Sequence, residues 1–109
     1  MSTSPYLPPG SRAPYYVILD VDIHDVPRYL TYMEKVRPAL ERAGGRYLVR
    51  GGAHTVYEGT WQPERLVLLE FPSQEAFESF YHGPEYAGIR AVRDETSTGN
   101  AVGVEGLEN

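Results

Sequence analysis

RLVLLEF, residues Arg65–Phe71, is apolar at positions of both parities. Side chains alternate faces along a strand, so a strand with only one covered face alternates apolar and polar residues. This one asks for cover on both faces. QPE at residues 62–64 makes a turn just before it, and HTVYEGTW, His54–Trp61, precedes that turn. The pair is expected to form a hairpin with Trp61 and Arg65 near its tip. Upstream stands GGRYLVRGG, residues 44–52, in which Arg46–Arg50 reads as a strand between two glycine pairs. Gly51 and Gly52 are expected to give a bulge or sharp bend.

The rest of the chain supplies the helices and the outer strands. YYVILDVD, Tyr15–Asp22, has the aromatic and β-branched content of a strand. Asp25 stands at an N-cap position, with Pro27 in the first turn. Val26, Leu30, Met33, Val36 or Arg37, and Leu40 then recur at helical spacing, which predicts a helix over 26–43. Pro38 interrupts it and should kink it. Gly44 and Gly45 end it, one of them in the left-handed conformation. Ser73 caps a second helix with Glu75 in its first turn and with Ala76, Phe77, Phe80 and Tyr81 as its apolar face. Gly83–Pro84 stops that helix, and Pro84 opens another that runs through Arg93. After TSTGN, the alternation in AVGVEG gives a last strand.

The order is βαββαβ. It predicts an α+β fold of the ferredoxin-like kind, an antiparallel four-stranded sheet with its helices on one face. A chain of 109 residues has no spare element for the other face. A two-fold homodimer, with two sheets packed face to face, supplies the cover. The ordered domain is expected over residues 15–106. The proline-rich start, residues 1–14, reads as an extended or disordered tail, and residues 107–109 as a frayed end.

Composition excludes several classes. There is no cysteine, so disulfides, thiolate nucleophiles and thiolate-held metals are out. Ten Lys and Arg stand against fifteen Asp and Glu, a net charge of -5, which argues against a nucleic-acid partner held through phosphates. No apolar run approaches the ~18 residues of a membrane span. The start has no apolar signal core, so a cytoplasmic protein is expected. His24, His54 and His82 lack metal-ligand spacing, and no P-loop or G-x-S-x-G elbow occurs.

Taken together, YYVILDVDIHDVPRYLTYMEKVRPAL, GGRYLVRGG, YEGTWQPERLVLLEFPS, FYHGPEYAGIRAVR and VGVEG resemble the domain-of-unknown-function family 1330 over about Tyr15–Gly106. That resemblance implies the dimeric α+β barrel architecture. The wider superfamily includes cofactor-independent monooxygenases, cyclases, isomerases and haem enzymes, so the resemblance does not select a reaction. The family usually carries Ser-Pro-Glu-Tyr where this chain has Gly83-Pro84-Glu85-Tyr86. A role for that serine hydroxyl has no counterpart here.

Candidate chemistry rests on a few side chains. Arg50, at the end of an apolar strand, either grips a carboxylate, enolate or phenolate oxygen or pairs with a neighbouring acid. Glu70 lies inside an apolar strand, where a carboxylate is costly unless paired. It is either a proton carrier or the partner of an arginine such as Arg50 or Arg93. Asp20 and Asp22 raise the same question more weakly. His54 and His82 are candidate general bases. Tyr29, Tyr32, Tyr81 and Tyr86 lie on helices that cover the sheet. Tyr29, Trp61, Tyr81, Tyr86 and Arg93 are the candidate walls of a binding site for a flat, oxygenated small molecule. Three readings follow: a cofactor-independent cyclase, isomerase or proton-transfer enzyme; a cofactor-free monooxygenase; or a non-enzymatic dimer that binds a ligand or serves as an accessory subunit. None of the three calls for a cofactor.

Overall fold

The computed structural model describes residues 13–108. Seven elements follow in order: β1 (Tyr15–Ile23), α1 (Val26–Arg42), β2 (Arg46–Arg50), β3 (Leu66–Phe71), α2 (Gln74–Tyr81), α3 (Pro84–Thr96) and β4 (Ser97–Glu105). The strands form one antiparallel sheet in the order β2-β3-β1-β4. This is the expected ferredoxin-like α+β fold. Residues 1–12 of the expected tail lie outside the described residues, as does Asn109. Ala13 is buried, and the Pro14 carbonyl accepts a hydrogen bond from the Gly106 amide at 2.8 Å.

Local chemistry sets the helix ends. The Asp25 carboxylate accepts from the Arg28 amide at 3.2 Å, and the Ser73 hydroxyl accepts from the Ala76 amide at 3.0 Å. Gly44 ends the turn after α1 with φ +88°, a conformation that glycine adopts at least cost. Its neighbour Gly45 is needed for space, since a Cβ there would stand 2.7 Å from the Phe71 ring.

One face of the sheet carries the core. Val17, Val67, Leu69 and Phe71 pack with Leu40 of α1, and Phe77 and Phe80 of α2 press against them. Val21 packs with Tyr29, Tyr32 and Val36 of α1 and with Tyr86 of α3. The buried stripe of α1 is therefore set by its tyrosines. Val26 and Leu30, expected on it, are instead more than half exposed. A stripe through Tyr29, Tyr32, Val36 and Leu40 keeps the same three- and four-residue spacing but is rotated, and its larger rings bury more apolar area.

Among the described residues no helix covers the opposite face. Register places Val104, Tyr16, Glu70 and Arg46 in one cross-strand row, and Val102, Ile18, Leu68 and Val49 in the next. Glu70 is paired here with Arg46, Nε to Oε1 2.6 Å, and not with Arg50 or Arg93. The cross-strand partner at position 46 sits directly opposite it, whereas Arg50 points to the helix side of the sheet. Val102 is 59% exposed on the row with Ile18, Leu68 and Val49, which is apolar throughout, and Val104 is 49% exposed at the end of the row that holds the ion pair.

The expected hairpin through His54–Trp61 does not form. Both edges of β3 are already taken, by β2 and by β1, so a third strand has nowhere to pair. Residues 51–65 instead make a long connection without regular structure. Its ends are joined where the Gly51 amide donates to the Leu66 carbonyl at 2.8 Å. The bulge in β2 falls between Tyr47 and Val49, and the glycine pair gives the expected bend, with Gly51 at φ +73°. β4 starts at Ser97, four residues before the expected strand. Gly99 lets it pair closely with β1, because a Cβ there would meet the Asp20 carbonyl.

α1 runs unbroken through Pro38, which is exposed. The proline deprives the Glu34 carbonyl of its helical donor and gives no buried contact in return. Pro38→Ala is expected to stabilise the protein, on the order of 1–3 kcal/mol. A higher melting temperature checks this, and a lower one shows that native packing requires the proline ring.

Candidate functional site

Between the sheet and its helices lies an apolar cavity, with about 50 Å³ open to the centre of a water-sized sphere. Its floor is made by Val17, Leu19, Val21, Val67 and Leu69, the inward residues of β1 and β3. Tyr29, Tyr32 and Met33 from α1, Phe80 and Tyr81 from α2 and Tyr86 from α3 close the other side. Three cations join these walls. Arg50 comes from the end of β2, Arg65 from the residue before β3, and Arg93 from α3. Among the described residues no Asp, Glu or His lines the cavity.

The pairing of the arginines makes this arrangement informative. Arg28, Arg37, Arg42, Arg46 and Arg90 each have a carboxylate partner: Glu95, Glu41, Glu85, Glu70 and Asp94. Arg50, Arg65 and Arg93 have none among the described residues. Arg50 is exposed where the cavity reaches the surface, and its guanidinium lies 5.0 Å from the centre of the Tyr47 ring. Arg65 lies against Gly51, whose φ is +73°. A Cβ on Gly51 would stand 2.7 Å from the Arg65 Nε, while Gly52 has open space around it. Arg93 donates from Nη1 to the Tyr86 hydroxyl at 3.3 Å.

The phenols form the polar part of the lining. The Tyr32 and Tyr86 hydroxyls are 3.0 Å apart and buried. Burial, and then the neighbouring Tyr86, pushes the Tyr32 phenol far above the ordinary tyrosine range. Burial also raises Tyr29 and Tyr47, against the opposing pull of the Arg65 guanidinium on both. Arg93 acts on Tyr29 as well, and Arg50 on Tyr47. Tyr29, Tyr32 and Tyr47 therefore stay protonated at neutral pH, among cations.

Five of the candidate residues meet at this cavity: Arg50, Tyr29, Tyr81, Tyr86 and Arg93. The others lie elsewhere. Glu70 is on the helix-free face. His54 is exposed in the long connection, its Nε2 3.0 Å from the Pro63 carbonyl. His82 is the exposed C-cap of α2, edge-on to Tyr81. Trp61 is 58% exposed, and its indole N–H donates to Asp20 Oδ2 at 2.9 Å. Arg65, Tyr32 and Tyr47 belong to the cavity without having been singled out for it. Alternation along β2 puts Tyr47 on the inward face, but the long connection hides where Arg65 lands.

Asp20 pins that connection. Beyond Trp61, its Oδ1 accepts from the Glu64 amide at 2.9 Å and the Arg65 amide at 3.4 Å. The Trp61 bond foremost, with the two amides, holds its carboxyl below the ordinary carboxylate range. The stabilisation is thus complete above the unfolded value of about 4 and is lost as pH falls through the lower folded value. Asp20→Asn is expected to speed proteolysis within residues 51–65 and to flatten the acid side of the stability profile. Melting curves across the acid range and limited proteolysis check both.

A sequence profile of a family described only as a domain of unknown function, DUF1330, matches residues 14–107. Curated proteins gave no match. Among solved structures, the chain is similar to RPA0582 of Rhodopseudomonas palustris, a protein of unknown function. The TM-score is 0.73 at 18% identity, over 90% of this chain and 85% of that one. It is similar to SnoaB of Streptomyces nogalater, a cofactor-independent oxygenase, with a TM-score of 0.62 at 7% identity, over 89% and 96% of the two chains. A dimeric protein of unknown function with a ferredoxin-like fold, from Bacteroides fragilis, gives 0.50 at 18% identity, over 87% and 98%.

Proposed function

The chain belongs to the DUF1330 family, and from the cavity that this fold builds in it we propose a homodimer that binds an anionic, oxygenated small molecule and acts on it without a cofactor. The carrying observation is the set of three guanidinium groups, on an apolar cavity, that lack a carboxylate. A guanidinium is always charged and matches the planar oxygens of a carboxylate or enolate. An apolar surround strengthens that attraction. Arg50, Arg65 and Arg93 would hold the ligand's anionic group, and the tyrosine rings its apolar body. A molecule of aromatic size displaces the Arg50–Tyr47 stack at the mouth as it enters.

The chemistry best suited to this site passes through an enolate or phenolate. Cations favour the deprotonated substrate, and that is the barrier in an isomerisation, cyclisation or proton transfer next to a carbonyl. Glu70, His54 and His82 face away from the cavity within one subunit. The proton is therefore taken by water at the open end beside Arg50. The likeness in fold to a cofactor-independent oxygenase favours a second reading, in which the same bound anion supplies electrons to dioxygen. Oxygen uptake with phenolic substrates separates the two. Binding without turnover marks an accessory or carrier role.

The apolar rows through Ile18 and Leu68, with Val102 and Val104 exposed beside them, support the homodimer. The dimeric neighbour of like fold points the same way. Light scattering is expected to give twice the chain mass, and Leu68→Glu to halve it. A monomer mass for the unaltered protein removes the dimer from the proposal.

Arg50→Leu tests the site. No acid is stranded by the change, so the several kcal/mol lost when a buried ion pair is broken is not expected. The variant should melt near the unaltered protein and bind benzoate about tenfold more weakly by calorimetry. Unchanged benzoate affinity in the Arg50, Arg65 and Arg93 leucine variants alike overturns the reading.

A further inference from the structure

We propose that Tyr32 and Tyr86 act as one hydrogen-bond donor that reads a carbonyl or enolate oxygen on the ligand, next to the anionic group held by the arginines. This rests on the reading of the cavity as an anion site and narrows the ligand class to compounds such as 2-oxo acids.

Both phenols are more than nine-tenths buried. Together they own two hydroxyl hydrogens. The 3.0 Å contact between their oxygens uses one of them, whichever phenol donates. Arg93 Nη1 brings a further hydrogen to the Tyr86 oxygen and accepts nothing. No carbonyl or carboxylate among the described residues accepts from either phenol. One phenolic hydrogen is therefore left without a protein acceptor in a site where an unmade bond is costly.

The direction of the chain follows from the cation at its end. A hydroxyl that accepts from a guanidinium is polarised and becomes a stronger donor. Arg93 donates to Tyr86, Tyr86 donates to Tyr32, and the Tyr32 hydrogen is the one left over. Burial keeps Tyr32 protonated, so that hydrogen is present at neutral pH. The cavity thus offers two kinds of recognition. Guanidinium groups take full negative charge, and a neutral O–H takes an oxygen that bears partial charge. A carboxylate next to a carbonyl carries both features. On enolisation the carbonyl oxygen gains charge, and the same donor then binds it more strongly.

Benzoylformate and phenylacetate test this directly. Both are aromatic carboxylates, ionised at neutral pH, and they differ by one carbonyl in place of one methylene. Titration calorimetry with the unaltered protein is expected to give about tenfold tighter binding of benzoylformate. Tyr32→Phe is expected to bring that ratio close to one while phenylacetate binds within about twofold of its original affinity. Equal affinities in the unaltered protein overturn the donor and leave the anion site standing. So does a preference that survives in the folded Tyr32→Phe variant. Should that variant not fold, the comparison in the unaltered protein decides by itself. Binding of neither acid at millimolar concentration overturns the anion site, and the donor with it.

Discussion

β3 is hydrogen-bonded on both edges and apolar on both faces, and most of the architecture follows from that. Since β2 and β1 occupy its edges, the segment between β2 and β3 cannot add a strand and must cross the surface as a long connection. Val67, Leu69 and Phe71 call the helices to one face. Leu68, with Ile18 beside it, leaves an apolar row on the other. The cavity then forms where β3 begins, because Arg65 and the end of β2 are brought together by the bond from Gly51 to Leu66.

Charge is distributed across this frame with a clear division. Acids on the surface neutralise arginines on the surface, and Glu70 on the helix-free face is matched by its cross-strand neighbour Arg46. The cavity has cations and phenols but, among the described residues, no acid. The two faces of one sheet thus do different electrostatic work. One joins the Glu70–Arg46 pair to an apolar row, and the other carries guanidinium groups without a carboxylate partner among the described residues around an apolar pocket.

Much of the fold was legible because its signals are local. Asp25 and Ser73 announce helix starts through a side-chain bond that spans three residues, and Pro84 opens α3 by its fixed φ. The two-sided apolarity of β3 spoke for a central strand. What failed to be legible depends on competition between distant segments. His54–Trp61 has strand-like residues, yet whether it pairs depends on whether β3 has a free edge. The stripe of α1 could be drawn through Leu30 or through Tyr29 with equal periodicity, and only packing against Val21 and Tyr86 chooses. The site shows the same split. Arg50 and Arg93 were legible as cations in suggestive places, while Arg65 is delivered by a connection whose path is set by Asp20. For Glu70 the sequence leaves open a proton carrier or the partner of an arginine, because it shows that a carboxylate is in a strand but not which face it takes, and that face selects Arg46 as the partner.

Gly51 and Arg65 occupy what is in effect one volume. The guanidinium lies where a side chain at 51 would begin, and the backbone there has the positive φ that glycine tolerates best. The two positions are fourteen residues apart in the chain, yet what one holds bears on where the other can lie. A side chain at 51 would have to displace the guanidinium as well as bear the positive φ, and a chain that loses the cation is freed of half of that constraint. Read across relatives, joint retention or joint loss of this pair would mark which members of the family keep a cationic pocket and which have turned the same fold to other use.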